Sequence, residues 1–363
     1  MKKIVLLIAC IALLGLCKAQ KRYRITGNLG QLQQDTFYLV VPNLNGTLNV
    51  LGVSILKDGN IEFQGQVPEP VMATIMTSDR QGSIPLMLEN TDYSIRIGSE
   101  SIVVGGGTEQ AVFNQFTVLQ REAARQQQKL QADMKTAYEE GNQMRVAALS
   151  GQGQKFMQSM QKRQMEIVKQ YANTSAAAYI VLACGMQAPP EQLQELYNLL
   201  GEHARASVYG KVIAAQLMEL GKIAEGKVAP DFVMYSPKGE AISLYGVKAK
   251  VKLVDFWASW CGPCRAENPN VIRLYKKYHR KGLEVVGFSL DDDKSKWVQA
   301  IMEDGLPWIN GSDLKGQSSE IGRLYNVRSI PFTLLLDENN RIVGKNLRGK
   351  ELTKKIEELL KSK

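Results

Sequence analysis

The alternation of apolar and polar positions changes character twice along the chain. Over residues 23–104, short runs rich in β-branched and aromatic side chains (23–27, 36–41, 60–65, 71–77 and 93–97) are separated by turn formers. These are Pro42-Asn43, Asn45-Gly46, Asp58-Gly59 and Asn90-Thr91-Asp92. Such punctuation predicts a small all-β domain, a sandwich or open barrel, with Gly105-Gly106-Gly107 marking its end. From Thr108 to about Lys222, apolar positions such as Phe116, Leu119, Ala123, Leu130, Met134 and Ala137 recur at three-, four- and seven-residue spacings, which predicts helix. A second helix is read around 157–171, with Gly151-Gln152-Gly153 as a loop before it. A short buried helix at 176–184, one opened by Pro189-Pro190 and one over 208–220 complete this region. Its Met and Gln stripes are read as adaptable packing, Cys184 as a small buried hydrophobe, and His203 and His279 as isolated surface residues.

From Gly226 onward strands and helices alternate. Residues 251–258 form a continuous apolar run broken by Asp255, the pattern of a buried central strand. Strands at 283–289 and 330–336, a hairpin partner at 341–348, and helices at 270–280, 297–302 and 351–360 predict a mixed sheet covered on both faces. The fold class expected is therefore multidomain: a leader at 1–19, a β-rich domain at 20–107, a helical region at 108–225 and an α/β domain at 226–363.

Composition narrows the function classes. With 363 residues and 44% hydrophobic content, the chain has room for two or three domains and is no disordered polymer. Its formal charge of +9 includes Lys2, Lys3 and Lys18 of the leader; without them +6 remains, spread without a basic cluster beside aromatics. This argues against nucleic-acid binding. Lys2-Lys3, the apolar stretch 4–16 and Cys17-Lys18-Ala19 have the pattern of a secretory signal peptide, too short to span a bilayer as a mature helix. Cys17 follows an apolar run as a lipoprotein acceptor does, but Leu16 is bulkier than the residue lipidation uses, which favours cleavage after Ala19. The mature protein is expected in the periplasm.

Cys184, Cys261 and Cys264 remain in the mature chain. Three cysteines make no disulfide framework, and two histidines without a second cysteine pair do not complete a zinc site, so Cys261-Gly262-Pro263-Cys264 reads as a redox pair and no metal or cofactor is called for. Two intervening residues on the first turn of a helix bring the sulfurs within bonding distance, and the helix N-terminus favours the first as thiolate. Gly262 permits the tight turn and Pro263 suits an early helical position.

The stretch Val254-Asp255-Phe256-Trp257-Ala258-Ser259-Trp260-Cys261-Gly262-Pro263-Cys264 resembles the active-site strand and helix of the thioredoxin superfamily. Together with Ala229-Pro230-Asp231-Phe232, Glu267, Tyr325-Asn326-Val327-Arg328-Ser329-Ile330-Pro331 and Leu334-Leu335-Leu336-Asp337, it resembles the exported TlpA/ResA-like thiol–disulfide oxidoreductases over 226–363. The N-terminal part resembles the DUF4369 β domain of Bacteroidetes-type proteins. The resemblance implies a thioredoxin-like fold in which Cys261 is the exposed nucleophile and Cys264 resolves the mixed disulfide. It places a buried carboxylate, Asp255, beneath the pair and an acidic residue, Glu267, one helical turn beyond it. It also implies a cis Pro331, with Ile330 offering backbone hydrogen bonds to an extended substrate, while Trp260 shapes the contact surface. The partners implied are disulfide-containing proteins, apocytochrome c among them, and a membrane electron donor of the thiol-transfer type. A disulfide isomerase fits the same motifs. A peroxiredoxin-like peroxidase shares the 229–232 entry but carries Thr or Ser where Ala258 stands. A partner-binding or assembly protein would use the β domain and helices.

Overall fold

The computed structural model describes residues 21–30, 35–43, 46–98, 101–185 and 188–361; the leader read at 1–19, with Cys17, lies outside the described residues. The chain divides into two units, one ending at Ala215 and one spanning Gln216–Lys363.

In the first unit, side-chain alternation builds the sheets. β1 (Tyr23–Asn28) buries Tyr23, Ile25 and Gly27 and exposes Arg24, Thr26 and Asn28. It is followed by β2 (Thr36–Pro42), β3 (Leu48–Ile55), β4 (Asn60–Gly65), β5 (Val71–Thr77), β6 (Ser83–Leu88), β7 (Asp92–Ile97) and β8 (Ile102–Gly105). Among the described residues these form two four-stranded sheets, ordered β4-β1-β7-β8 and β3-β2-β5-β6. Ile25, Phe63, Tyr93 and Ile95 of one meet Phe37, Leu39, Ile75 and Leu86 of the other in a shared core, the expected sandwich. Asp58 and Gly59, at φ 51° and 78°, turn the chain from one sheet to the other, a conformation that Asp-Gly accommodates. The pattern reading lacked β3, β6 and β8. β6 carries Pro85, which an edge strand tolerates. β3 exposes Leu48, Val50, Val53 and Ile55, so its outer face is apolar and the alternation is erased.

The helices are α1 (Thr108–Glu139), α2 (Gln143–Gln170), α3 (Ser175–Gly185), α4 (Pro190–Leu199), α5 (Glu202–Ala206) and α6 (Val208–Lys222), the division between units falling inside α6. The loop expected at Gly151-Gln152-Gly153 is instead continuous helix within α2. The chain reverses earlier, at Gly141, whose φ is 64°. Gly153 faces α1 so closely that a Cβ would sit 2.8 Å from Leu130 Cδ2, so packing outweighs the poor helix propensity of glycine. Gly151 faces open space. Gly151→Ala is therefore expected to stabilise the protein by about 0.5–1 kcal/mol, seen as a higher denaturant midpoint; a lower midpoint would count against this account of α2.

Cys184 is also not where the apolar pattern put it. It is exposed, because α4 covers the last turn of α3 on the Gly185 side, where an added Cβ would meet Leu193 at 2.7 Å, and leaves Ala183 and Cys184 open. The thiol lines a cavity of about 320 Å³ with Met157, Met160 and Met165, and partial desolvation there pushes its pKa up to about 11. His203 and His279 are both at the surface.

The second unit contains β9 (Val233–Tyr235), β10 (Ala241–Ser243), β11 (Val251–Trp257), α7 (Gly262–Tyr278), β12 (Leu283–Ser289), α8 (Lys294–Asp304), β13 (Ile309–Ser312), α9 (Glu320–Leu324), β14 (Phe332–Asp337), β15 (Ile342–Lys345) and α10 (Gly349–Lys361). Among the described residues its sheet has seven strands ordered β10-β9-β13-β12-β11-β14-β15. β11, β12 and β13 run parallel and β14 antiparallel to β11, so the sheet is mixed. All seven residues of β11 are buried. Val251, Leu253 and Trp257 pack on one face with Val271 and Tyr278 of α7 and Leu352 and Ile356 of α10. Val254 and Phe256 pack on the other with Phe288, Tyr325 and Leu334. Strand parity therefore turns Asp255 toward the α7 face, where the helix begins. Lys252, on the opposite face, is buried with its Nζ donating to the Leu244 carbonyl at 3.3 Å and to Asn340 Oδ1.

Candidate active site

The site is assembled where β11 hands the chain to α7. Cys261 is the N-cap of α7, and its Sγ accepts a hydrogen bond from the Cys264 N–H at 3.2 Å, one of the donors a helix start leaves unpaired. Pro263 occupies the first turn, where no N–H is needed. Cys261 and Cys264 are joined in a disulfide, with Cα atoms 5.3 Å apart. Once reduced, the same helix terminus favours the Cys261 thiolate.

In this oxidised form Cys261 is not the exposed residue expected: it is 4% exposed and Cys264 3%. Both belong to the cluster of Trp257 and Ala258, and Ile330 packs against that cluster. The neighbouring Trp260 is 61% exposed and supplies the apolar surface beside the pair.

Asp255 is buried, and desolvation pushes its carboxyl up to about 7; the Arg348 charge opposes this shift and the Glu267 charge adds to it. A carboxyl titrating there exchanges a proton readily near neutrality. Glu267, half-buried on α7, accepts a hydrogen bond from Asn270 Nδ2 at 2.9 Å. The Ile330–Pro331 peptide bond is cis. Ile330 packs against the cores on both faces of the sheet. In the register of β11 with β14, Phe332 lies opposite Phe256 and Thr333 opposite Asp255, so Pro331 enters the sheet at the end of β11 that leads to Cys261.

Other groups around the site were not singled out by sequence reasoning. Buried Asp291 accepts from the Ser259 N–H at 2.9 Å, from Ser259 Oγ at 2.5 Å and from Ser289 Oγ at 2.6 Å, pinning the loop that presents Trp260 and Cys261. The run Asp291-Asp292-Asp293 after a strand was its only signal, and the run conceals which carboxylate turns inward. Asp291→Ala leaves these donors unpaired and should lower unfolding stability by about 2–4 kcal/mol; denaturant titration reads it, and a loss below about 0.5 kcal/mol would refute the anchoring role. Arg265, one residue after Cys264, forks onto Asp304 at 2.6–3.1 Å and reaches Glu303 at 2.9 Å, tying the first turn of α7 to the end of α8. Among the described residues no group of three His, Cys, Asp or Glu side chains is placed to hold a metal ion, and no helix is long and apolar enough to cross a membrane.

Comparison with known proteins bears on this geometry. Residues 224–360 match the Redoxin family model, and residues 23–113 match that of DUF4369, a domain of unknown function. A solved thiol-disulfide oxidoreductase from Bacteroides fragilis is 36% identical over 37% of this chain and 99% of its own, at a TM-score of 0.35. The thioredoxin-like protein YneN of Bacillus subtilis is 37% identical over 141 residues, 37% of this chain and 80% of that one. The thiol-disulfide oxidoreductase ResA of Bacillus thuringiensis is 31% identical over 140 residues, 39% of this chain and 79% of the relative. The strand, dithiol helix and cis-proline of the second unit thus sit in a chain that belongs to the thioredoxin-like thiol–disulfide oxidoreductases of the ResA type.

Proposed function

We propose that the protein is an exported dithiol reductase that delivers electrons to protein disulfides through Cys261 and Cys264. The observation that carries this reading is the Cys261–Cys264 pair at the N-terminus of α7, with Asp255 behind it on β11. In the reduced enzyme the Cys261 thiolate attacks one sulfur of a substrate disulfide. The substrate S–S bond breaks, a mixed disulfide forms and one substrate thiolate leaves. Cys264 then gives its proton to the Asp255 carboxylate and attacks Cys261 Sγ. The second substrate thiolate leaves, the Cys261–Cys264 disulfide closes, and the substrate has gained two electrons.

Trp260 and the backbone of Ile330 receive an extended segment of the substrate beside cis-Pro331, and Glu267 tunes the pair through its charge on Asp255. The leader pattern at 1–19 supports export to the periplasm, where reduction needs an electron donor. A membrane protein of the thiol-transfer type fits that role, and apocytochrome c cysteines are one substrate class that suits it. The test is the reduction potential of the pair in the purified mature protein, by equilibration with dithiothreitol or glutathione. A value near about −270 mV supports an electron donor; one near about −120 mV makes the protein an oxidant and overturns the reductase reading.

A further inference from the structure

Arg348, read from the sequence as the last residue of the hairpin partner at 341–348, instead lies beyond the end of β15, exposed in the short connection to α10. Its Nη2 nevertheless donates to the Pro331 carbonyl oxygen at 2.7 Å. Proline has no N–H, so that carbonyl is the only backbone group through which Pro331 can be hydrogen-bonded. The same connection grips the next residues of β14. The Asn346 N–H donates to the Thr333 carbonyl at 2.8 Å, and Asn346 Oδ1 accepts from the Thr333 N–H at 3.2 Å. The segment from Asn346 to Arg348 thus holds the entry of β14 at three points, and Arg348 supplies the one nearest the cis bond.

Arg348 has a second effect. The charges bearing on Asp255 are Glu267 from α7 and Arg348. The flanking strands place Gly287 of β12 and Thr333 of β14 opposite Asp255, α10 contributes apolar Leu352 and Ile356 to the same face, and α7 brings Cys261 and Cys264. Arg348 thus sets a positive charge against the negative one of Glu267 at this carboxyl.

We propose that Arg348 is a positioning residue of the dithiol site, holding the backbone beside cis-Pro331 where substrate is received. This rests on the reductase reading; the charge Arg348 sets against Glu267 supports it and gives a readout that does not depend on that reading. The test uses the full mature chain with Arg348→Gln and Arg348→Lys, insulin as the protein disulfide and dithiothreitol as the reductant. Arg348→Gln should lower kcat/KM about fivefold near pH 7 and move the midpoint of the pH profile upward, because the lost cation no longer favours the carboxylate. Arg348→Lys should keep the midpoint and lose only part of kcat/KM, since an ammonium restores the charge but not the position from which Nη2 reaches the Pro331 carbonyl. In an Asp255→Asn background the midpoint shift should vanish. Carbon-13 NMR titration of the Asp255 carboxyl, which needs no turnover, should show the same upward move in Arg348→Gln.

An Arg348→Gln protein with unchanged kcat/KM and an unmoved Asp255 titration overturns the proposal. If the parent protein leaves insulin unreduced, the reductase reading falls instead, and the NMR titration alone decides whether Arg348 acts on Asp255. Should Arg348→Gln fail to fold, the Lys variant carries the test: an unreduced kcat/KM, or a midpoint shifted despite the retained charge, contradicts the assignment.

Discussion

Cys264→Ser should turn the protein from a catalyst into a trap. Cys261 keeps its place as N-cap of α7 and still attacks a substrate disulfide, but a serine hydroxyl does not displace the substrate sulfur from Cys261. The expected result is a stable mixed disulfide, seen as a mass increase equal to the substrate and released by dithiothreitol. Steady-state reduction should fall by more than about a thousandfold. Cys261→Ser should lose turnover to the same degree and form no adduct. Turnover retained by Cys264→Ser, or an adduct that persists when Cys261 is replaced, would overturn the assignment of attacking and resolving sulfurs.

Asp255→Asn should be more stable and less active. The folded-state pKa of Asp255 is raised to about 7, above the ordinary carboxyl value, so folding favours the protonated form. Above about pH 7 the native state must hold a buried charge that the unfolded chain solvates, and the full penalty is present. It is relieved as the pH falls from about 7 toward 4, below which both states are protonated. Asn removes the charge, so at pH 8 the oxidised variant should gain up to about 4 kcal/mol, with the gain vanishing near pH 4. Reduction of a substrate disulfide should slow by about tenfold or more, because Cys264 has lost its proton acceptor. Denaturant unfolding at the two pH values and single-turnover kinetics measure both. A stability gain independent of pH would show that packing, not charge, set the change.

The parts of the fold that were legible are those whose signal is local. β11 is buried on both faces, so it reads as an apolar run, and of its two charged residues, Lys252 and Asp255, the second is the functional carboxyl candidate. The cysteine spacing is a helical-turn property and needs no tertiary knowledge. The first sandwich was visible through its turn formers, while Pro85 hid β6 and the small polar composition of Ile309–Ser312 hid β13. Gly151 and Gly153 of α2 read as a loop because propensity ignores the helix packed against Gly153. The burial of Cys261 depends on a cluster that Ile330 joins from 69 positions further along the sequence. Asp291 and Arg348 take their meaning from partners 32 and 17 residues away, and no periodicity announces such contacts.

The free thiol among the described residues, Cys184, carries a consequence of its own. An unpaired cysteine at the surface of a dithiol enzyme is a competitor that could capture mixed disulfides meant for the active pair. Cys184 is open to solvent, yet its pKa of about 11 leaves only about one molecule in ten thousand as thiolate at pH 7, against about 1% for a thiol at its ordinary value of 9.0. The higher basicity recovers part of the lost nucleophilicity, so attack is slowed about ten- to fifteenfold overall. Partial desolvation beside the methionine-lined cavity thus gives this cysteine a kinetic insulation even though the residue is open to solvent.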